Sequence, residues 1–326
     1  MAETADPIPG TGPFIEGPLE SLRFSGLQAG PKLIVLGAVH GNEGCGPTAI
    51  ARIIADCRTK RLVITRGEVT FVPVTNPKAF FWKTREGDRN LNRDLREKPL
   101  PTDHEDRVGN RLCGLLRQHD VLLDLHSFRG EGPPFVFFGP GSNHNAQAES
   151  AFAACLGTSI LIHGWLDIYA RLIAARGRLG LPPLSATEGF GTTEYMRFVG
   201  GYGVTLECGS HDDPAAADVG ETAIRNALAH LGLVDAPAPA PKLHLVIHLV
   251  DLVLCEEPGD RLEGSWKTGD VVRAGALVAR RAGGEPVLAP SEGYAIFPSA
   301  IAKPGESICY LGVASPPPTL SRKQLT

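Results

Sequence analysis

Three short apolar runs, each leading to a residue that can bind a metal, most constrain the fold of this chain. KLIVLGAV (32–39) precedes His40, VLLDLH (121–126) ends at His126, and GVTLE (203–207) ends at Glu207. Apolar runs of this length, rich in branched side chains, are typical of strands buried inside a parallel sheet. Open α/β sheets bind ligands in the crevice at the carboxyl ends of such strands. The runs therefore predict an α/β fold with a functional site at that edge.

Helical and irregular segments separate these runs in the order that a parallel sheet requires. Ala49, Ile50, Ile53 and Ile54 recur at helical spacing within 41–57, and EVTFVPVTN (68–76) follows as a strand. A strand, a helix and a second strand imply a right-handed parallel crossover. The other predicted helices cover 103–119, 142–157, 171–177 and 215–231. The other predicted strands cover 21–26, as an edge strand, 135–140 and 159–165, and the predicted loops cover 76–101 and 181–200.

The two predicted loops are candidates for function. Residues 76–101 are long, charged and aperiodic, and they contain Arg85, Asn92 and Arg93. Loops of this length inside a compact domain are usually functional. Residues 181–200 are Gly-rich, and we interpret them as an irregular lid or specificity loop.

Alternating Ala and Pro at 234–242 predict an extended linker between two domains. Residues 1–233 would form the α/β catalytic domain. Residues 243–326 would form a small all-β domain with a C-terminal tail, because alternating apolar residues are followed by short segments cut by Gly and Pro. The hairpin pattern resembles biotinyl and lipoyl domains, but no turn presents a modifiable lysine, and Lys303 before Pro304 is a poor candidate.

Composition excludes several functional classes. The chain has 326 residues, 43% of them hydrophobic, and a formal net charge of −4, so neither nucleic acid nor an anionic membrane surface is an expected partner. Neither a signal-like N-terminus nor a run of about 18 apolar residues is present. Seven cysteines without CxxC pairing are typical of buried residues in a reducing compartment. We expect a cytoplasmic protein, and its oligomeric state, a homo-oligomer included, stays open.

His40 and Glu43 stand at HxxE spacing directly after the first run. An imidazole and a carboxylate so placed can face one cation, although a polar loop at a strand end explains a single pair equally well. His126, at the end of a second run, makes coincidence much less credible. Gly41 and Gly44 are expected to let the backbone turn sharply beneath the pair.

Other histidines have ordinary structural explanations. His163, His244 and His248 belong to predicted strands, and the alternation of LHLVIHLV puts His244 and His248 on one strand face. His211 is the exception, because it lies four residues after Glu207 and could line a pocket.

The motifs together resemble the zinc carboxypeptidase superfamily, and more closely its succinylglutamate desuccinylase/aspartoacylase branch. The resemblance covers most of 33–210, and the gap between Glu43 and His126, shorter than in digestive carboxypeptidases, favours the acylase branch. It implies a mixed, largely parallel sheet flanked by helices, with a small C-terminal β domain. The matching segments are GAVHGNEGCGP (37–47), NPKAF (76–80), LNRD (91–94), LDLHS (123–127), TLECG (205–209), VLAPSEGYAIF (287–297) and AKPGESICYLG (302–312).

Residue by residue, the resemblance implies one zinc ion per chain, bound by His40, Glu43 and His126 with a fourth position open. It implies Glu207 as the general base and acid, and Arg85 as the group that polarises the scissile carbonyl and stabilises the oxyanion.

The resemblance also implies a set of substrate-binding residues. Asn92 and Arg93 would hold a substrate carboxylate, which a guanidinium fork matches bidentately. Arg197, ten residues before Glu207, would be another substrate-binding arginine. For Asp124 two interpretations stay open, either orienting the His126 imidazole or pairing elsewhere as an ordinary buried polar residue.

The implied activity is zinc-dependent hydrolysis of the amide bond in a small N-acyl amino acid or related amide. One alternative is a metallocarboxypeptidase acting on peptides, against which the small β domain argues, since such a cap would restrict the pocket to small substrates. The other is a non-catalytic binding or carrier module, against which the missing carrier lysine argues.

Overall fold

The computed structural model of the chain describes residues 13–240 and 244–316. Its helices are α1 (Cys45–Arg58), α2 (Pro77–Trp82), α3 (His104–Leu116), α4 (Ala146–Cys155), α5 (Trp165–Arg178), α6 (Thr192–Phe198) and α7 (Ala216–His230). Its first strands are β1 (Leu22–Ser25), β2 (Gln28–Leu36), β3 (Arg66–Val72), β4 (Val121–Phe128), β5 (Phe135–Phe137), β6 (Ile160–His163) and β7 (Tyr202–Ser210). The later strands are β8 (Leu245–Leu254), β9 (Arg261–Leu262), β10 (Val271–Val272), β11 (Leu277–Arg280), β12 (Pro286–Leu288), β13 (Gly293–Ile296) and β14 (Ser307–Ser315).

Eleven of the described strands form one sheet in the order β1-β3-β2-β4-β7-β5-β6-β8-β14-β13-β10. β3, β2, β4 and β7 are parallel neighbours, as are β5, β6 and β8. β1 lies antiparallel on the edge, and the strands beyond β8 are antiparallel. β12, β11 and β9 form a separate small sheet. The predicted α/β class with a largely parallel sheet and a C-terminal β region is confirmed.

The two faces of the sheet bury alternate residues of the same strands. On β2, Leu33 and Val35 pack with residues of α1 and α7, whereas Ile34 and Leu36 pack with residues of α3 and α6. All four side chains are fully buried. An apolar run without polar alternation is what a strand covered on both faces requires.

Two helices lie in stretches predicted as loops. In α2, Pro77 occupies the first turn and the Asn76 side chain accepts a hydrogen bond from the Ala79 N–H, so an N-cap and a proline start the helix. In α6, the cap runs the other way, because the carboxylate of Glu194 in the first turn accepts from the N–H of the N-cap residue Gly191. The loop predictions for these segments were therefore wrong, because capping outweighs the weak periodicity of short helices.

The sheet continues across the predicted linker. β6 pairs in parallel with β8, so the first strand after 234–242 extends the central sheet. Residues 234–240 contain no helix or strand. Residues 1–12, 241–243 and 317–326, which include the end of the predicted linker and most of the tail, lie outside the described residues. The division into two domains stays a prediction. Among the described helices, none has the length and apolar character to cross a membrane.

Candidate active site

Three predicted metal ligands meet where β2 and β4 end. His40 follows β2, Glu43 precedes α1 and His126 lies near the end of β4. One donor atom from each lies within 4.8 Å of the others. All three residues are buried. The parallel pairing of β2 with β4 explains the meeting, because it brings the carboxyl ends of both strands to one edge.

Both imidazoles direct the same nitrogen at the Glu43 carboxylate. His40 Nδ1 lies 2.9 Å from Glu43 Oε1, and His126 Nδ1 lies 2.9 Å from Glu43 Oε2. The opposite nitrogens face protein oxygens, His40 Nε2 at 3.1 Å from Asn90 Oδ1 and His126 Nε2 at 2.9 Å from Asp124 Oδ2. Oxygens behind the rings orient imidazoles for metal binding through the other nitrogen. Of the two interpretations of Asp124, its position favours the orienting one.

The charges of the three groups depend on one another. Burial opposes the ionisation of Glu43, yet the two imidazoles hold the pKa of its carboxyl well below the usual value. Burial lowers the pKa of His40 to about 4. Burial also disfavours the charged form of His126, but Asp124 and Glu43 raise the pKa of that ring well above its usual value. Glu43 is thus ionised and His40 neutral near neutral pH, the forms in which these groups bind metals.

Close packing explains one of the two glycines near the pair. A Cβ on Gly41 would lie 1.9 Å from the carbonyl carbon of Ala79, so α2 could not pack there against any larger residue. Gly44 adopts φ −80° at the start of α1 and has open space around it, so the expectation that it is needed for a sharp turn was wrong. The left-handed residue of this segment is Ala38, with φ 47°.

Two further groups hold the Glu43 carboxylate. The backbone N–H of Ser127 donates to Oε2 at 3.2 Å, and Arg85 Nη1 donates to Oε1 at 3.2 Å. The Arg85 side chain is 46% exposed, so it reaches from the solvent side to the buried carboxylate. Arg85 therefore stands beside the predicted metal position with part of its guanidinium free to meet a substrate.

Glu207 faces the same centre from β7. It is the register partner of His126 in the parallel pairing of β4 with β7. Its Oε2 atom is buried and has no hydrogen-bond partner among the residues that the structure describes. Burial raises the pKa of Glu207 to about 8, and Glu43 adds to the effect while His126 and Arg85 oppose it. A buried carboxyl with one unused oxygen is suited to accepting and returning a proton.

These residues line one cavity of about 840 Å³. Asn92 is fixed on its wall because its Oδ1 accepts from the Thr192 N–H at 2.8 Å. The guanidinium of Arg93 lies 4.8 Å from the ring centre of Tyr169 and 5.6 Å from that of Trp165. The cavity therefore combines the candidate metal ligands, Glu207 and an arginine held by aromatic rings.

The profile of the succinylglutamate desuccinylase/aspartoacylase catalytic domain matches residues 29–231. The chain belongs to the succinylglutamate desuccinylase/aspartoacylase family. This family consists of deacylases that hydrolyse amide bonds and typically depend on a metal, which agrees with the His40, Glu43 and His126 cluster. No curated protein matches the whole sequence significantly.

Solved structures of this family share the fold. A succinylglutamate desuccinylase/aspartoacylase from Rhodobacter sphaeroides superposes with a TM-score of 0.71 at 18% identity, covering 90% of this chain and 89% of that one. The product-bound ectoine utilization protein EutE (DoeB) from Ruegeria pomeroyi gives 0.68 at 23% identity, covering 88% and 86%. Succinylglutamate desuccinylase from Vibrio cholerae gives 0.67 at 16% identity, covering 88% and 82%.

Arg197 is the predicted site residue whose surroundings differ most from expectation. It lies on the cavity wall, but its guanidinium is paired with the carboxylates of Glu149 and Glu194. Its assignment as a substrate-binding residue in this member of the family stays a prediction.

Several residues in or beside the cavity were not assigned a role from the sequence. Asn90 contacts His40, and its position two residues before Asn92 in the same loop was an available signal. His211, expected as a pocket candidate, lines the cavity, and its Nδ1 lies 2.8 Å from Ser127 Oγ. The C-terminal region was expected to cap the pocket, but no local signal indicated which of its residues would line it. They include Leu262, Trp266, Lys267, Phe297, Ile301 and Lys303.

Proposed function

We propose that this protein is a zinc-dependent amidohydrolase that removes the acyl group from a small N-acyl amino acid or a related amide. The supporting observation is the convergence on one cavity of three metal-ligand donors and Glu207, whose Oε2 has no hydrogen-bond partner in the described part of the chain. The family of the chain supports the reaction class.

The donor set fits zinc. His40 and His126 would hold the ion through Nδ1, and Glu43 through its carboxylate. Two imidazoles and one carboxylate are the protein ligands of many catalytic zinc sites. When bound, zinc acts as a Lewis acid that polarises a carbonyl and acidifies water.

The residues around the donors supply the proton transfers. Glu207 accepts a proton from the attacking water at Oε2, and the water oxygen forms a bond to the acyl carbon. Arg85 donates a hydrogen bond to the oxyanion that develops. As the carbon–nitrogen bond breaks, Glu207 returns the proton to the amine nitrogen, so the products are a carboxylic acid and an amine. The acid then gives up its proton, and near neutral pH the products are a carboxylate and an ammonium group.

The substrate carboxylate would bind at Asn92 and Arg93. Among the described residues no carboxylate lies within ion-pair distance of Arg93, and its Nη1 donates to the Asn92 carbonyl oxygen at 2.6 Å. Tyr169 and Trp165 lie against the guanidinium, and the N–H donors that it does not use within the protein would pair with the substrate carboxylate. Because Arg93 and Glu207 line one cavity, a substrate carboxylate bound at Arg93 would let the amide of the same molecule reach Glu207.

A hydrolysis screen tests the proposal. Zinc-loaded protein is incubated with N-acetyl, N-succinyl and N-formyl amino acids, and release of the free amino group is measured, with a peptide panel in parallel. We expect turnover of at least one N-acyl amino acid and loss of that turnover in Glu207→Gln. Release of C-terminal residues from peptides alone would favour a carboxypeptidase, and no turnover in any arm would contradict an amidohydrolase of this substrate class.

A further inference from the structure

A charged cluster lies where the sequence predicted a substrate-binding arginine. Arg197 and Glu194 line the cavity, and the buried Glu149 pairs with Arg197 without lining the cavity itself. Arg197 Nε donates to Glu149 Oε2 at 3.0 Å and Nη2 to Glu149 Oε1 at 2.7 Å. Nη1 donates to Glu194 Oε1 at 3.0 Å, and Nη2 also donates to the Gly203 carbonyl oxygen at 3.0 Å. Every nitrogen of the guanidinium is thus committed to a protein acceptor.

The cluster is held firmly by its surroundings. Glu149 also accepts from the Gly139 N–H and from Asn143 Nδ2, and Glu194 accepts from the Gly191 N–H. The side chains of Arg197, Glu149 and Glu194 are 12%, 1% and 8% exposed. Withdrawing Arg197 toward a ligand would leave two buried carboxylates without their cation, which is strongly unfavourable.

The cluster has a formal charge of −1, because two carboxylates surround one guanidinium. A negatively charged group of a ligand placed against it would be repelled across a poorly solvated wall. Arg197 therefore neutralises protein carboxylates and is not available as a second anion site.

The other cations of the cavity do not replace it. Arg93 lacks a carboxylate partner among the described residues, and Arg85 is bonded to Glu43 beside the metal ligands. Arg129, Lys267 and Lys303 also line the cavity, but they are exposed to solvent. The interior of the cavity thus offers one anion site for substrate recognition, at Arg93.

We propose that the substrate carries a single carboxylate, bound at Arg93, and that its portion facing the Arg197, Glu149 and Glu194 cluster is uncharged. This inference rests on the proposed amidohydrolase function and narrows its substrate class. Phe137, Phe138 and Trp165 line the same cavity and supply apolar surface for an uncharged group. Acylated dicarboxylic amino acids are excluded as the preferred substrates.

Matched substrate pairs test the inference in the wild-type enzyme. N-acetylasparagine is compared with N-acetylaspartate, and N-acetylglutamine with N-acetylglutamate. On the acyl side, an N-succinamoyl amino acid is compared with its N-succinyl counterpart. We expect kcat/KM to be at least about tenfold higher for the neutral member, because a like-charge contact opposes binding of the charged member and is absent for the neutral one.

Charge-removing variants then assign the preference to the cluster. Glu194→Gln and Glu149→Gln each remove one negative charge, so the ratio of neutral to charged substrate should fall toward about 1, chiefly through KM for the charged member. The matched control is Glu292→Gln, since Glu292 is exposed and does not line the cavity. A loss of folding alone would lower both rates and leave the ratio unchanged.

Two results would overturn the inference. One is equal or faster hydrolysis of the dicarboxylates by the wild type, and the other is an unchanged ratio in both variants with folding intact by circular dichroism. If no member of any pair is hydrolysed, the amidohydrolase proposal fails. The charge preference is then decided separately, by calorimetry that compares the binding affinity of free asparagine with that of free aspartate. Tighter binding of aspartate would then refute it, and tighter binding of asparagine would support it.

Discussion

Replacing Glu207 with glutamine separates the proposed chemistry from the architecture of the site. The side chain keeps its size but loses its capacity to carry a proton. Removal of a general base lowers kcat by about 10²- to 10⁴-fold. The zinc content should equal that of the wild type, because the three donor atoms belong to His40, Glu43 and His126.

The same substitution has a stability consequence whose sign follows from the pKa. Burial raises the pKa of Glu207 from 4.5 to about 8, so the folded protein holds this proton more tightly than the unfolded chain does. The stability that protonated Glu207 contributes to the folded state is fully present below about pH 4.5 and is lost as the pH rises to about 8. At pH 7 the loss is on the order of 3 kcal/mol. Glutamine cannot ionise, so the variant escapes this loss.

The assay is urea denaturation of both proteins at about pH 4.5 and about pH 7 with a chelator present, since a bound cation would change the titration. The difference in unfolding free energy between variant and wild type should shift in favour of the variant by about 3 kcal/mol from the lower to the higher pH. Exposed Glu292→Gln serves as the control and should show no such shift. An equal pH dependence in wild type and Glu207→Gln would show that the carboxyl ionises freely in the folded protein.

Three further outcomes are expected. His126→Ala removes one donor and should lower zinc content by elemental analysis, whereas exposed His144→Ala should not; full occupancy would show that the third ligand is another residue. Arg93→Lys keeps the positive charge but loses the two parallel N–H donors of the guanidinium, so KM should rise about tenfold while kcat stays within about twofold. A fall in kcat alone would contradict a role of Arg93 in binding the carboxylate of the ground-state substrate. Asp106 is buried but accepts bonds from Thr102, Lys98 and Arg89 that hold its pKa well below the usual value. The stability that the ionised Asp106 contributes is present above about pH 3.8 and is lost as the pH falls below that value. Asp106→Asn should therefore lower the free energy of unfolding by about 3 kcal/mol at pH 7 and by less in acid. Equal urea midpoints of variant and wild type at pH 7 would refute this prediction.

Local sequence patterns were sufficient to predict the central parallel strands and to select His40 and Glu43 as candidate ligands, but not the continuation of the sheet beyond residue 242. The run through Leu33 and Leu36 is apolar at consecutive positions, and a strand covered on both faces is the arrangement that buries all of them. His40 and Glu43 are three residues apart, so their proximity was already determined by the chain. The short helices α2 and α6 were missed although Asn76 followed by Pro77 is a readable start signal, because a few residues carry too little periodicity.

The environment of each charged group was decided by the tertiary structure. The sequence places Arg197 ten residues before Glu207, but its pairing with Glu149 depends on α4 and α6 both packing against β7. The contact of Asn90 with His40 and the wall formed by Trp266 and Phe297 likewise join distant segments. Periodicity and spacing report which face of its own strand or helix a residue occupies. Whether an arginine in this cavity meets a substrate carboxylate or a protein carboxylate depends on which other segment packs against it, and only the folded chain determines that.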